Sequence, residues 1–356
     1  EIRLSLVGSE MCIRDRQGSS ADEHTYAFTY DSLSRLTDTK QYVNGTACDR
    51  FVEKGLTYDR NGNIQTLQRT SGGAVSDSFT YNYTGNQLIS LSGTTTGTYS
   101  YDTNGNMTAD GPNNLNLTYN SLNLTEKVMR GDTILVKYSY LSDGTKLSAT
   151  NAGGNGLYYL GSLVYKKQNG VLLLESASFG GGRILAAATT NGVIYSPQYH
   201  LTDHLGSVRA IVNDTGEVIE RNDYYPFGLR WNTGTLSDNR YRYNGKEMQL
   251  FVNVPYTDYG ARMSDPRFHL GWNGRDPLSE KYYPMSPYAF CGNNPVKYID
   301  TDGRKIVDTK GNILYQNGKW TNAAKNTDAM RAGNAMMKTN IGRNTWNEMA
   351  AAAYDI

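Results

Sequence analysis

Apolar and polar residues alternate in short runs through the first 150 residues, as in Phe79-Thr80-Tyr81 and Tyr99-Ser100-Tyr101. A period of two turns one set of side chains toward a core and the other toward water, so the pattern predicts half-buried β-strands. Each run ends at a tyrosine followed by Asp or Asn, with a turn residue four positions beyond the tyrosine. The series reads Tyr30-Asp31…Ser34, Tyr58-Asp59…Gly62-Asn63, Tyr81-Asn82…Gly85-Asn86, Tyr101-Asp102…Gly105-Asn106, Tyr119-Asn120…Asn123 and a degenerate Tyr140…Gly144. Asp or Asn opens a turn by bonding the backbone ahead of it, and Gly or Asn supplies the left-handed geometry that reverses the chain. A second strand, such as Ile64-Gln65-Thr66-Leu67, then returns. One such hairpin is marginal in water, whereas repeats laid side by side bury one another's edges. The expected fold is mainly β: antiparallel hairpins forming a curved, coiled sheet.

Composition sharpens this. The chain has 28 Tyr against 8 Phe and 4 Trp, and tyrosine suits a pleated surface because its ring packs while its hydroxyl reaches a polar partner. A net charge of +1 gives no electrostatic ground for nucleic-acid binding, and no apolar run approaches the roughly 20 residues of a membrane-spanning helix. The opening Glu1–Arg16 stands apart: Met11-Cys12-Ile13-Arg14-Asp15-Arg16 resembles the translation of a transposon-end adapter used in sequencing libraries, and the segment is expected to be foreign to the fold. That leaves Cys48 and Cys291, far apart and in no metal-type spacing.

Tyr-Asp repeats of this form are similar to the YD repeats of Rhs proteins and related bacterial polymorphic toxins, in which many repeats coil into a hollow β-shell around cargo. From about Asn151 the period fades, and Tyr199–Arg304 resembles the Rhs repeat-associated core of Bacteroidota-type members. The matching strings are Tyr199-His200-Leu201-Thr202-Asp203-His204-Leu205-Gly206, Asp223-Tyr224-Tyr225-Pro226-Phe227-Gly228, Arg242-Tyr243-Asn244-Gly245-Lys246-Glu247, Asp258-Tyr259-Gly260-Ala261-Arg262, Asp276-Pro277-Leu278-Ser279-Glu280 and Gly292-Asn293-Asn294-Pro295. The expected organisation is a YD-repeat region over 20–150, the core over 151–304, and the truncated start of a variable effector domain over 305–356.

The resemblance implies one chemical site. In some family members the core ends in an aspartyl protease that cuts its own chain after a second Asp-Pro-x-Gly-Leu motif. Here the two motifs correspond to Asp276-Pro277-Leu278-Ser279-Glu280 and Asp300-Thr301-Asp302-Gly303-Arg304, making Asp276 and Asp300 the candidate dyad and placing the scissile bond after Arg304. The first motif lacks Gly-Leu, Thr301 stands for Pro, Arg304 stands for Leu, and the usual Gly-Arg-Phe/Trp is Leu270-Gly271-Trp272-Asn273-Gly274, with Arg267 and Arg275 nearby. The alternative is that both aspartates only build turns. His200, Asp203 and His204 give no metal site, because four residues of strand span about 13 Å. Gly180-Gly181-Gly182 lacks the following Lys-Ser/Thr of a phosphate loop.

After Arg304 the pattern changes. Ile306-Val307-Asp308 through Tyr315 reads as a hairpin and Asn326–Tyr354 as one or two helices, an α/β tail without His or Cys and so without a zinc or Cys–His site. The resemblance implies a secreted or surface-located carrier without cofactor, acting in interbacterial competition. Its partners would be its own C-terminal effector, an immunity protein and secretion-system components. Exposed tyrosines leave a rival reading, an adhesin that binds surface glycans.

Overall fold

The computed structural model describes residues 3–7, 10–16, 23–231, 237–282, 285–308, 311–313, 315–316 and 319–320; the helices expected within 326–354 lie outside them. Seventeen consecutive strands, from Glu53–Tyr58 to Val218–Arg221, form one antiparallel meander that curls into a barrel. The period-two pattern is obeyed in detail: in the Ala74–Thr84 strand, Asp77, Phe79 and Tyr81 are buried while the residues between them are exposed. A smaller sheet precedes the meander, with Glu23–Tyr30 paired to Leu36–Val43 on one side and to Glu10–Arg16 on the other. Arg3–Val7 pairs in turn with Glu10–Arg16. The segment read as foreign thus runs along an open sheet edge, which takes up extended chain through backbone groups whatever the side chains are.

One turn recurs throughout. At Asp59, the Asp59 N–H donates to Asn63 O (3.0 Å), the Gly62 N–H to Asp59 O (3.1 Å), and the N–H groups of Asn61 and Asn63 to Asp59 Oδ1 (2.8 and 2.9 Å). Asp31, Asp102 and Asn120 repeat this. The fourth residue of each turn has positive φ (Ser34, Gly62, Gly105, Asn123), where glycine and asparagine are least penalised. The unit read at Tyr81 is displaced. Its strand continues to Thr84, and Tyr83, facing Leu88, precedes a tight Gly85-Asn86 turn, so Tyr81 is an interior strand residue. The period lost from the sequence after Asn151 persists in the backbone, because Asn151, Asp203 and Asn213 build the same turn.

The choice of Tyr over Phe has a structural reason. The Tyr58 hydroxyl donates to Leu36 O (2.5 Å), Tyr119 to Met107 O (2.8 Å), Tyr140 to Thr125 O (2.8 Å) and Tyr224 to Val208 O (2.9 Å). In all four the acceptor is the first residue after a neighbouring turn, so each tyrosine stitches its hairpin to another. These rings are spent inside the wall, and among the described residues the large exposed aromatic ones are Tyr195, Tyr199, Phe179 and Phe251.

The described residues of 223–307 form a closing segment of short bridges and 3₁₀ turns packed against the buried face of the wall. Trp272, Phe290, Tyr259 and Phe268 join wall residues Leu67, Phe79, Tyr81, Leu91 and Met107 in one core, while Val254, Tyr256 and Met263 join Leu117, Val128 and Val136 in another. Polar contacts fix the docking. Asn294 Nδ2 donates to Ser34 O, Asn293 Nδ2 to Gly62 O and Tyr288 Oη to Gly105 O, each at 2.7 Å. The acceptors are the left-handed turn residues themselves. Arg69, fully buried, pairs with Glu53 (2.7 Å) and donates to the carbonyls of Arg267 (2.6 Å) and Pro266 (2.9 Å).

Candidate active site

Asp276 lies in an Asp-Pro turn in which Pro277 presets its own φ; its N–H donates to Pro287 O and its carbonyl accepts from Ser279 N–H, both at 3.0 Å. Asp300 ends a two-residue strand paired with Ile306–Val307. The fold brings both to Arg262, which follows the Asp258-Tyr259-Gly260 turn. Arg262 Nη2 lies 2.9 Å from Asp276 Oδ2 and 3.2 Å from Asp300 Oδ2, so the two carboxylates meet on one nitrogen. Its guanidinium stacks 4.4 Å from the centre of the Trp272 ring. Exposure is 5% for Arg262, 7% for Asp276 and 0% for Asp300, which removes the solvent screening that would otherwise weaken the cluster.

The two aspartates divide their oxygens between a turn and Arg262. Asp276 Oδ1 accepts from Leu278 N–H (2.8 Å). Asp300 Oδ1 accepts from the N–H groups of Asp302 (3.2 Å), Gly303 (2.7 Å), Arg304 (3.0 Å) and Lys305 (3.3 Å). Each therefore builds a turn with Oδ1 and faces Arg262 with Oδ2. Burial, opposed by Arg262, pushes the Asp276 carboxyl up to about 6 and also raises Asp300. Arg262 thus opposes the burial that disfavours the charged form of both carboxyls. The Arg304–Lys305 bond lies in the loop wrapped around Asp300, and Arg304 N–H also donates to Asp302 Oδ1 (3.0 Å).

Sequence reading singled out Asp276 and Asp300 and noted Arg267 and Arg275 near the missing motif arginine, and neither arginine meets the aspartates. Arg267 is half exposed, at 3.9 Å from Asp77, and Arg275 packs against Gly105. The partner is Arg262, inside a string already noted. Elsewhere, Asp203 Oδ1 closes a turn and His204 Nε2 donates to Val296 O at 2.9 Å. Among the described residues no group of three or more His, Cys, Asp or Glu could hold a metal ion, and no helix is long and apolar enough to cross a membrane.

Comparison with known proteins adds a family. The Teneurin YD-shell model matches residues 5–159. The tRNA3(Ser)-specific nuclease WapA of Bacillus spizizenii is 29% identical over 288 residues, 78% of this chain and 12% of its own length. Salivary gland surface protein 1 of Aedes aegypti is 34% identical over 110 residues, 30% of this chain and 3% of its own. Among solved structures, TcdB2-TccC3-Cdc42 aligns over 83% of this chain and 18% of that one, at 16% identity and a TM-score of 0.49. A Photorhabdus luminescens Tc holotoxin pore aligns over 86% and 22%, at 14% identity and a TM-score of 0.40. The chain spans only a small part of each.

Proposed function

We propose that this chain, a YD/Rhs-type shell protein, is wall and closure of a secreted or surface-located container that holds and presents the segment following Arg304, a toxic effector directed at other bacteria. The observation that carries this reading is an open cavity of about 1010 Å³ between the wall and the closing segment, lined by Leu185, Ala186, Ala187, Leu250, Phe251 and Arg240 among others. That volume is at the upper end of small-molecule pockets, room for a short stretch of the segment that follows Arg304. The tRNA-nuclease names of the Bacillus relatives fit a carried toxin. Timed proteolysis of the full chain, read by mass spectrometry, tests it. Residues 305–356 should resist digestion in native buffer and become labile once urea opens the barrel. Equal digestion rates with and without urea would overturn the proposal.

A second reading is favoured by the meeting of Asp276 and Asp300 on Arg262: the chain cuts itself once, after Arg304. Asp300, with four N–H donors on Oδ1, is the better carboxylate and would draw a proton from the attacking water. Asp276, with one such donor, would hold a proton and lend it to the scissile carbonyl. Intact mass of purified protein decides. A fragment ending at Arg304 that Asp276→Asn abolishes supports the reading, and an uncut wild-type chain refutes it.

A further inference from the structure

The backbone leading to Arg304 is held at three successive carbonyls. Lys246 Nζ donates to Thr301 O at 2.6 Å, Ala261 N–H to Asp302 O at 3.1 Å, and Arg262 Nε to Gly303 O at 2.5 Å. Each of these contacts is made to main chain, so they read the path of the segment and not its sequence. The hook at Thr301 stands on a rigid base. Lys246 closes a five-residue turn of the same kind as the wall turns, with Arg242 N–H donating to Lys246 O (3.1 Å) and Gly245 N–H to Arg242 O (3.1 Å). Its Nζ sits 5.6 Å from the centre of the Tyr259 ring. Tyr259 packs edge-on against Trp272 at 5.0 Å, the ring that also carries Arg262.

We propose that Lys246 is a positioning residue of the self-cleavage site, a hook that fixes the chain upstream so that the Arg304–Lys305 bond comes to rest beside Asp276 and Asp300. The inference rests on the self-cleavage reading and adds to it the rule by which the cut is placed. The three donors fix the path of the segment, and Asp300, held to Arg262 by Oδ2 while its Oδ1 takes the N–H groups of Asp302 to Lys305, sets which residue occupies each place. A path held through main chain also accommodates Thr301 where other family members carry Pro, since both present a carbonyl. Lys246 makes its hydrogen bond to the Thr301 carbonyl, with the Asp300 charge felt at its ammonium, and acts through the segment it holds.

The test compares the full-length wild type with Asp276→Asn, Lys246→Met and Lys246→Arg, following the rate and position of cleavage by mass spectrometry and folding by thermal denaturation. Loss of one charge-assisted hydrogen bond that aligns the reacting bond is expected to slow Lys246→Met cleavage about 10-fold. Secondary cuts within a residue or two of Arg304 should accompany it, at an unchanged unfolding midpoint. Lys246→Arg, which keeps the cationic donor, should restore both rate and position. Wild-type protein that stays intact, like Asp276→Asn, would remove the cleavage reading and this inference together. Wild-type cleavage with Lys246→Met cutting at the same rate and only after Arg304 would overturn the role of Lys246 alone. A Lys246→Met defect that Lys246→Arg fails to rescue would do so as well.

Discussion

Replacing Tyr119 by Phe removes one oxygen and leaves the ring in place. That oxygen lies 2.8 Å from Met107 O and 3.3 Å from Asn273 O, and it accepts from Asn273 Nδ2 at 3.2 Å. Met107 is 2% exposed and Asn273 5%, so water cannot take over the lost partnership. A neutral hydrogen bond contributes about 1 kcal/mol net, but leaving a buried carbonyl without its partner costs about 1–3 kcal/mol. The hydroxyl joins two hairpins and the closing segment at one point, which places the expected loss near 2 kcal/mol, within that roughly 1–3 kcal/mol range. Urea unfolding followed by tryptophan fluorescence measures it, since Trp272 adjoins Asn273 and is 1% exposed. Tyr195→Phe, at a site 60% exposed, is the control and should stay within about 0.5 kcal/mol of wild type. The midpoint should fall for Tyr119→Phe at an unchanged slope. If the two variants unfold within about 0.5 kcal/mol of each other, the stitching role of the repeat tyrosines is refuted.

Other outcomes follow from the same structure. Arg69→Met strands Glu53, whose side chain is 0% exposed, and should cost about 3–5 kcal/mol in urea unfolding; a loss under about 1 kcal/mol would mean the pair does not hold wall to closing segment. Asp110 and Asp265 share the Asn113 amide (2.7 and 3.0 Å), and burial followed by repulsion from Asp265 pushes Asp110 up to about 6. Its folded value lies above its unfolded one, so its contribution is full below about 4 and lost as pH rises through about 6. Relative to Asp110→Asn, wild-type protein should therefore gain up to about 3 kcal/mol as pH falls from 7 to 4, and a pH-independent difference would contradict this. If Asp276 supplies the acid, self-cleavage should quicken as pH falls through about 6; equal rates at pH 5 and pH 8 would exclude that role. Asn294→Ala removes the donor to Ser34 O and should speed hydrogen exchange in the 31–35 turn while leaving the 213–217 turn unchanged.

Much of the wall was legible because its signals are local. An Asp or Asn, a left-handed residue three positions later and a run of period two are all decided within about ten residues, as at Tyr58–Leu67. Tyr81 misled because Tyr83 follows it at the same alternation, and only pairing across the strand, Tyr83 with Leu88, reveals where the chain turns. Beyond Asn151 the turns persisted but their preceding tyrosines did not, so a motif defined by Tyr lost them. The candidate pair Asp276 and Asp300 was singled out through a family resemblance, whereas Arg262 was not. Nothing along the chain marks it as their partner; three separate turns bring Arg262, Asp276 and Asp300 together. The tyrosine hydroxyls, likewise, have carbonyl acceptors that no spacing announces.

The five-residue turns have a consequence for how such a molecule comes into being. Because each strand pairs with the one just before it in sequence, the wall can be laid down in the order of synthesis, every hairpin finding its neighbour already in place. The seam where Val218–Arg221 meets Glu53–Tyr58 and the closing stretch, which reaches back to Ser34, Gly62 and Gly105, depend on distant contacts, and such contacts form slowly because long loops must be closed first. The barrel is thus built open and sealed late, leaving an interval in which its inner face stays accessible.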